Sequence, residues 1–248
     1  TLNLYGPYDS DSAKPNFIKD AETVALHLGI EHHVCEASSE FETKVLSHFV
    51  HEYLAGRTPF PCVVCNPLIK WAVLQRMADT LECGFVATGH YARKVLHGNR
   101  SYVAPAVDSD KDQSFFLWNI PPDLLHRVLF PLGEMRKTDV RAYALQRGFE
   151  SVGRKKDSMG ICFIEGSDYR PYLQNALKER KHEIGPGELI DSEGRCIGRH
   201  NGYPFYTIGQ RRGLNHRQNR ALFVTEILPA TNQVRLGMYD ELKRREIL

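Results

Sequence analysis

Residues 67–92 read PLIKWAVLQRMADTLECGFVATGHYA, and a change of period inside that stretch decides the fold. As far as Cys83 the pattern is that of an amphipathic helix. From Gly84 the apolar residues run together as a short buried strand ending at Thr88, Gly89 and His90. The same alternation continues upstream. TLNLYG (1–6) reads as a strand, and KPNFIKDAETVALHLGI (14–30) as a helix with Ile18, Ala21, Val24, Ala25 and Leu28 at helical spacing and Gly29 at its end. EHHVCEA (31–37) is a second short strand, and EFETKVLSHFVHEYLAG (40–56) a helix closed by Gly56. Strand, helix, strand, helix, helix, strand is the order of an α/β domain built on a parallel sheet.

Downstream, RSYVAPAVDSDKDQSFFLWNI (100–120) is turn-like and then apolar. PPDLLHRVLF (121–130), KTDVRAYALQRGFE (137–150) and RPYLQNALKERKH (170–182) read as helices, with Thr138 the expected cap of the second. From about residue 185 glycines recur every few positions among short alternating runs, the texture of a small β-rich region. RALFVTEILPATNQVRLGMYDELKRREIL (220–248) resembles two strands of a barrel that never closes, and TLNLYG is a lone opening strand. The expectation is a chain cut at both ends, because open edges of this kind invite mispairing.

The 248 residues exceed one ordinary compact domain, and their 42% hydrophobic and 25% charged content is that of a globular protein. No apolar run is long enough to span a membrane, and the first residues lack the basic flank and apolar core of a secretory signal. The net charge of +2 is unevenly spread. Residues 1–50 hold 3 basic and 8 acidic groups, residues 51–150 hold 12 and 10, and residues 151–248 hold 17 and 12, so the balance climbs from −5 through +2 to +5. A basic second half reads as solvated surface or as a phosphate-facing surface for nucleic acid. Six cysteines without a signal peptide point to a reducing compartment, where a special cysteine is reactive or metal-bound. Cys35 and Cys83, among apolar neighbours, are expected to be small core residues.

Four segments have residues suited to chemistry. Cys62 and Cys65 stand three apart between prolines, in TPFPCVVCNP (58–67), and three readings compete: a zinc knuckle, a dithiol pair at a helix start, or a loop presenting one nucleophilic thiol. Zinc would need two more ligands, and only lone candidates such as Cys162 and His90 are present. Cys162, in KKDSMGICFIEG (155–166), is either a buried strand residue or a thiol activated beside Lys155, Lys156 and Asp157. Gly89 and His90 end the buried strand, where α/β folds bind nucleotides and a glycine permits close backbone approach. Lys111, Asp112 and Gln113 precede an aromatic run, as phosphate and base contacts or as a capped helix start.

In order along the chain, GRTPFPCVVCNPLIKW, ATGHYARK, DKDQSFFL, LFPLGEMRKTDVR, KKDSMGICFIEG and GRHNGYPFYTIGQRRGL resemble the motifs of the tRNA-specific 2-thiouridylase family, over about residues 18–228. That resemblance implies an adenine-nucleotide alpha-hydrolase-like (N-type ATP pyrophosphatase) α/β domain over 1–166, a small central β-rich tRNA-binding domain over 167–216, and the start of a C-terminal β-barrel over 217–248. It implies ATP, with Mg2+, adenylating the C2 oxygen of the wobble uridine before sulfur replaces it. Cys162 would hold the incoming sulfur as a persulfide, and Cys65 would be the partner thiol, freeing sulfide or closing a Cys65–Cys162 disulfide. On this reading the proline-rich loop presents Cys65. Gly89 and, less directly, Leu2 would border the nucleotide. Phe60, Pro61, Cys62 and His90 would lie at the target base, and Lys111, Asp112 and Gln113 on tRNA.

Phe60 stands where the family usually has Asn, so a hydrogen-bonding side chain is replaced by a ring that stacks. Cys62 stands where some members have Asp, and could take over acid/base work only with a shifted pKa. The family's Ser-Gly-Gly-x-Asp-Ser phosphate loop is missing, and YDSDS (8–12) lacks the glycines to replace it, so these residues alone are not expected to adenylate RNA. The resemblance further implies tRNAs for Lys, Glu and Gln as substrates, a sulfur-carrier partner and a cytoplasmic setting. Two rivals remain at this level: a same-fold enzyme adenylating another atom, and a non-catalytic RNA-binding remnant.

Overall fold

The computed structural model describes residues 1–8, 14–154, 160–164, 166, 168–214 and 221–243, without the side chains of 151 and 152. In chain order the elements are β1 (Leu2–Asn3), α1 (Asn16–Leu28), β2 (Cys35–Glu36), α2 (Ser38–Phe41), a π-helical segment (Glu42–Leu46), α3 (Ser47–Leu54), α4 (Pro61–Cys65), a second π-helical segment (Asn66–Trp71) and α5 (Ala72–Thr80). Then follow β3 (Val86–Ala87), β4 (Arg93–His97), β5 (Arg100–Ala104), α6 (Pro122–Arg127), β6 (Val128–Leu129), α7 (Lys137–Gln146), α8 (Glu150–Gly153) and α9 (Arg170–Glu179). The last strands are β7 (Gly187–Ile190), β8 (Cys196–His200), β9 (Phe223–Leu228) and β10 (Gln233–Gly237). The chain divides into two compact units, one of Thr1–Val45 with Pro61–Met159 and one of Leu46–Phe60 with Gly160–Leu248.

The first unit is α/β. β1 pairs in parallel with β2, Leu2 opposite Cys35, and β3 pairs in parallel with β6, Val86 opposite Val128. The parallel pairing is therefore present, as separate two-stranded pairs rather than one continuous sheet among the described residues. Trp71, Leu117, Leu124 and Val128 are almost fully buried and form the centre of the core beside β3. Each such side chain contributes roughly 1.5–3 kcal/mol of burial. α1 buries Ile18 and Ala25 but leaves Leu28 exposed, and it ends at Gly29, whose φ of 66° lets its N–H turn back to Ala25 and Leu26. Where the sequence reads as a turn, β4 and β5 form an antiparallel hairpin, His97 opposite Arg100, across Gly98 and Asn99. Gly98 at φ 57° supplies the left-handed first position of that turn. Thr138 is not a cap. It lies inside α7, and the Lys137 N–H at the start of that helix donates instead to the Asp108 carboxylate at 2.8 Å.

The second unit joins two helices to a four-stranded sheet ordered β8-β7-β10-β9, antiparallel except for β7 beside β10. Alternation along β7, β9 and β10 puts Leu189, Val224, Val234 and Leu236 into one core with Tyr203 and Tyr206. The sheet does not close into a barrel among the described residues. On α3, Phe49, Val50 and Tyr53 meet Leu173, Ala176 and Leu177 of α9. Tyr53 stacks flat on Tyr169 with centroids 4.4 Å apart, and burial pushes the Tyr53 phenol well above its usual range.

Candidate active site

Cys62 and Cys65 lie in a helix, not in a loop. Pro61 opens α4, where a fixed φ and a missing N–H cost nothing, and it brings both thiols inside the following turn. The proline-rich loop is correspondingly shorter than the sequence reading made it. Cys62 is half-buried and Cys65 only 6% exposed. Pro67 cannot donate a helical hydrogen bond, and the chain widens there into the π-helical segment. The buried Asn66 side chain compensates locally, its Nδ2 donating to the Cys62 carbonyl at 2.8 Å. All six cysteines are thiols. Among the described residues no group of three or more His, Cys, Asp or Glu side chains is placed to hold a metal, so the zinc reading finds no third ligand there.

β3 stops at Ala87, which leaves Thr88, Gly89 and His90 beyond the strand end. Gly89 has no left-handed φ, and a Cβ on it would meet nothing nearer than Leu132 Cδ1 at 3.8 Å. The chain itself would accept a side chain at this position. His90 is half-buried, with Nδ1 2.9 Å from the Thr88 hydroxyl and its ring stacked on Trp71. Burial, aided by the Lys70 charge, lowers its pKa to about 4. Leu2 is half-buried in the β1–β2 pair.

Asp112 and Gln113 brace the chain. Asp112 accepts from the Ala106 N–H at 2.7 Å and the Ser114 hydroxyl at 2.7 Å. Burial alone would raise its carboxyl, but these bonds and those from the Ser114 and Gln113 N–H groups outweigh it and hold the pKa below the ordinary value. Gln113 exchanges two bonds with Tyr91, taking its N–H on Oε1 at 3.0 Å and donating its own N–H to the Tyr91 carbonyl at 2.8 Å. Lys111 is half-buried at the end of the 3-10 turn Ser109–Lys111.

Phe60 and Cys162 belong to the second unit. Phe60 is 52% exposed. Cys162 is exposed on a turn in which the Ile164 N–H reaches the Ile161 carbonyl at 3.0 Å, so it is not the buried strand residue of the alternative reading. Its neighbours are anchored: Phe163 meets Phe49 edge-on at 5.2 Å, and Ile161 and Ile164 join the same core. Lys155, Lys156 and Asp157 lie outside the described residues. Cys83 is exposed and Cys35 half-buried, which corrects their expected place in the core. Cys83 follows the last turn of α5, and the Arg127 side chain uses its carbonyl at 2.7 Å rather than its sulfur. Sequence reasoning missed Asn66, although Asn before Pro is a recognised signal of local backbone capture.

The class is that of a protein with a HUP domain followed by a second, PRC-barrel domain, as two family models show. The model of the tRNA methyl transferase HUP domain matches residues 8–166, and that of the tRNA methyl transferase PRC-barrel domain matches residues 172–238. Among curated relatives, tRNA-specific 2-thiouridylase MnmA 1 of Bacteroides fragilis is 45% identical over 239 residues, covering 93% of this chain and 65% of that protein. MnmA 3 of Phocaeicola vulgatus is 44% identical over 235 residues (95% and 62%), and MnmA of Cytophaga hutchinsonii 45% over 227 residues (92% and 62%). The chain belongs to the tRNA-specific 2-thiouridylase family. It spans a little under two thirds of the length of these relatives.

Proposed function

We propose that the protein is a tRNA-uridine 2-sulfurtransferase of the cytoplasm, exchanging the C2 oxygen of a wobble uridine for sulfur. The observation that carries this reading is 45% identity, over 93% of the chain, to a protein named for that activity. Chemically, an amide-like carbonyl is a poor electrophile with a poor leaving group, so the reaction needs oxygen activation and a sulfur nucleophile stronger than water. ATP, when bound with Mg2+, supplies the adenylyl group that makes the oxygen a leaving group. Gly89, whose backbone is open, and Leu2 would border the nucleotide. Neutral His90, braced by Thr88 and Trp71, would offer the base a hydrogen-bonding ring without charge. Exposed Phe60 would stack on it, with Pro61 and Cys62 beside, and the segment braced by Asp112 and Gln113 would present Lys111 to the tRNA.

For the sulfur step, a donor protein leaves a persulfide on exposed Cys162. The Cys65 thiolate attacks the Cys162 sulfur, the bond to the outer sulfur breaks, and that sulfur leaves with the electron pair to the uridine carbon. A Cys65–Cys162 disulfide remains, to be reduced by an external thiol. Substrate tRNAs of the Lys, Glu and Gln type fit this reading. The first test is a non-reducing peptide map by mass spectrometry after incubation with a persulfide donor. Added sulfur on Cys162 or a Cys65–Cys162 link is expected; plain thiols at both positions would remove the assignment. The matched domains carry the description methyl transferase. A wobble uridine that the full-length protein enlarges by a methyl group, instead of exchanging oxygen for sulfur, would favour that chemistry.

A further inference from the structure

The first unit has a concavity lined by none of the thiols, the strand-end residues or the Ser109–Lys111 turn. It is a cleft of about 700 Å³ lined by Arg100, Tyr102, Phe115, Trp118, Leu125 and His126, among others. One wall is β5, and the other is the 3-10 turn Ser114–Leu117 with the start of α6. Its volume is that of a small-ligand site. Phe115 and Trp118 stand 66% and 65% exposed, with Tyr102 at 44%. Three large rings held in water around one cleft are the kind of surface that marks a binding site. Its polar atoms are ordered: the Ser101 hydroxyl and His126 Nδ1 are 3.1 Å apart, and Lys94 donates to the His126 carbonyl at 2.9 Å.

The charge of the surrounding segment selects the ligand. Between Glu82 and Asp108 the chain has no acidic residue, while Arg93, Lys94 and Arg100 are basic. Arg93 is engaged with Glu134 and the Pro105 carbonyl, and Lys94 with His126. Exposed Arg100, at the hairpin end of the cleft, makes no ion pair among the described residues. Aromatic faces beside an available guanidinium in an acid-free segment suit a polyanion with flat bases, which is single-stranded nucleic acid.

We propose that this cleft is an additional RNA site, taking an unpaired nucleotide of the substrate RNA with its base stacked on Phe115 and Trp118 and its phosphate on Arg100. The proposal rests on the tRNA reading above and adds a contact to it. Ser101 and His126 would meet the base edge, and Tyr102 would complete the wall.

The chain has two tryptophans, and Trp71 is 1% exposed, so a ligand in the cleft is expected to quench Trp118 alone. With a short oligouridylate as probe, quenching is expected in the wild type and absent in W118F. F115A and R100Q are expected to weaken oligouridylate, and an unmodified tRNA transcript, about tenfold. Both are surface changes that leave the unfolding transition in place. Wild-type affinity of both variants for both RNAs overturns the proposal, as does quenching that survives in W118F. Variants that keep RNA affinity but accept sulfur poorly from a donor protein would make the cleft a protein-docking site, which also overturns it. Failure of the tRNA reading looks different: the full-length protein would bind oligouridylate in the cleft and never exchange oxygen for sulfur in any transcript.

Discussion

The imidazole of His90 lies on the indole of Trp71, ring centroids 5.9 Å apart and planes 28° from parallel. This contact fixes a titratable ring just beyond the end of β3, and burial, aided by the Lys70 charge, keeps it neutral. The unfolded chain takes up the proton near pH 6.5, whereas the folded chain resists it down to about 4. The unfolded state therefore binds more protons between those values, and stability rises with pH across that window. The contribution is complete above the unfolded pKa and is lost as pH falls through the folded one, at most on the order of 3 kcal/mol. Urea unfolding between about pH 7 and pH 5 should show wild-type stability falling more steeply than that of H90F. Equal slopes would mean that His90 protonates freely in the folded protein.

Two glycines in the motifs have opposite reasons for being glycine. A Cβ on Gly133 would lie 2.0 Å from the Ala92 carbonyl oxygen, a backbone atom that cannot swing aside as a side chain can. G133A should destabilise by about 1–3 kcal/mol or more. Gly89 has open space around it, so G89A should be neutral or stabilising by about 0.4–1 kcal/mol. If a nucleotide approaches that backbone, the same methyl group should weaken ATP binding to the full-length protein about tenfold or more. Calorimetric titration beside urea unfolding separates the two effects. Unchanged ATP affinity in G89A would take the nucleotide away from this strand end.

Burial ranks the thiols. Cys83, Cys162 and Cys196 are exposed, Cys35 and Cys62 half-buried, and Cys65 buried. Under native alkylation with iodoacetamide, followed by peptide mass spectrometry over time, Cys65 should react last, more than about tenfold slower than Cys162. Labelling of Cys65 at the rate of Cys162 would show that α4 opens readily and that its thiol is already presented to solvent.

What the sequence disclosed and what it hid have physical reasons. The alternation of α1, α5 and β3 was legible because each element buries part of one face, and burial imposes a period. The β-rich end was legible because β7, β9 and β10 alternate over a single core. The helical setting of Cys62 was hidden: prolines on both sides suggest a loop, yet Pro61 at a first turn and Pro67 in a π-helical segment are both compatible with helix. The β4–β5 hairpin was hidden because its strands are largely exposed, so no alternation is enforced along RKVLH. At the candidate site, the exposed Cys162 was ambiguous because its neighbours are apolar. Only the structure shows that Ile161 and Phe163 turn inward while the thiol between them stays in solvent.

That arrangement makes Phe49 the support of the Cys162 turn. Phe49 is fully buried and meets Phe163 at 5.2 Å, Tyr53 at 5.0 Å and Tyr172 at 5.8 Å, each edge to face. Truncation to alanine should cost about 3–5 kcal/mol through the cavity it leaves, enough to obscure any local effect. F49L keeps most of the volume and should cost less than about 1.5 kcal/mol while removing the edge-on contact with Phe163. In F49L Phe163 loses one of its ring contacts, another being Tyr172 at 5.1 Å, so persulfide loading on Cys162 should slow several-fold while persulfide loading on Cys196, on β8, stays at the wild-type rate. Comparing the two thiols within one protein sample separates a loosened turn from general unfolding. An equal change at both positions would mean that Phe49 supports the whole unit and has no particular part in holding Cys162.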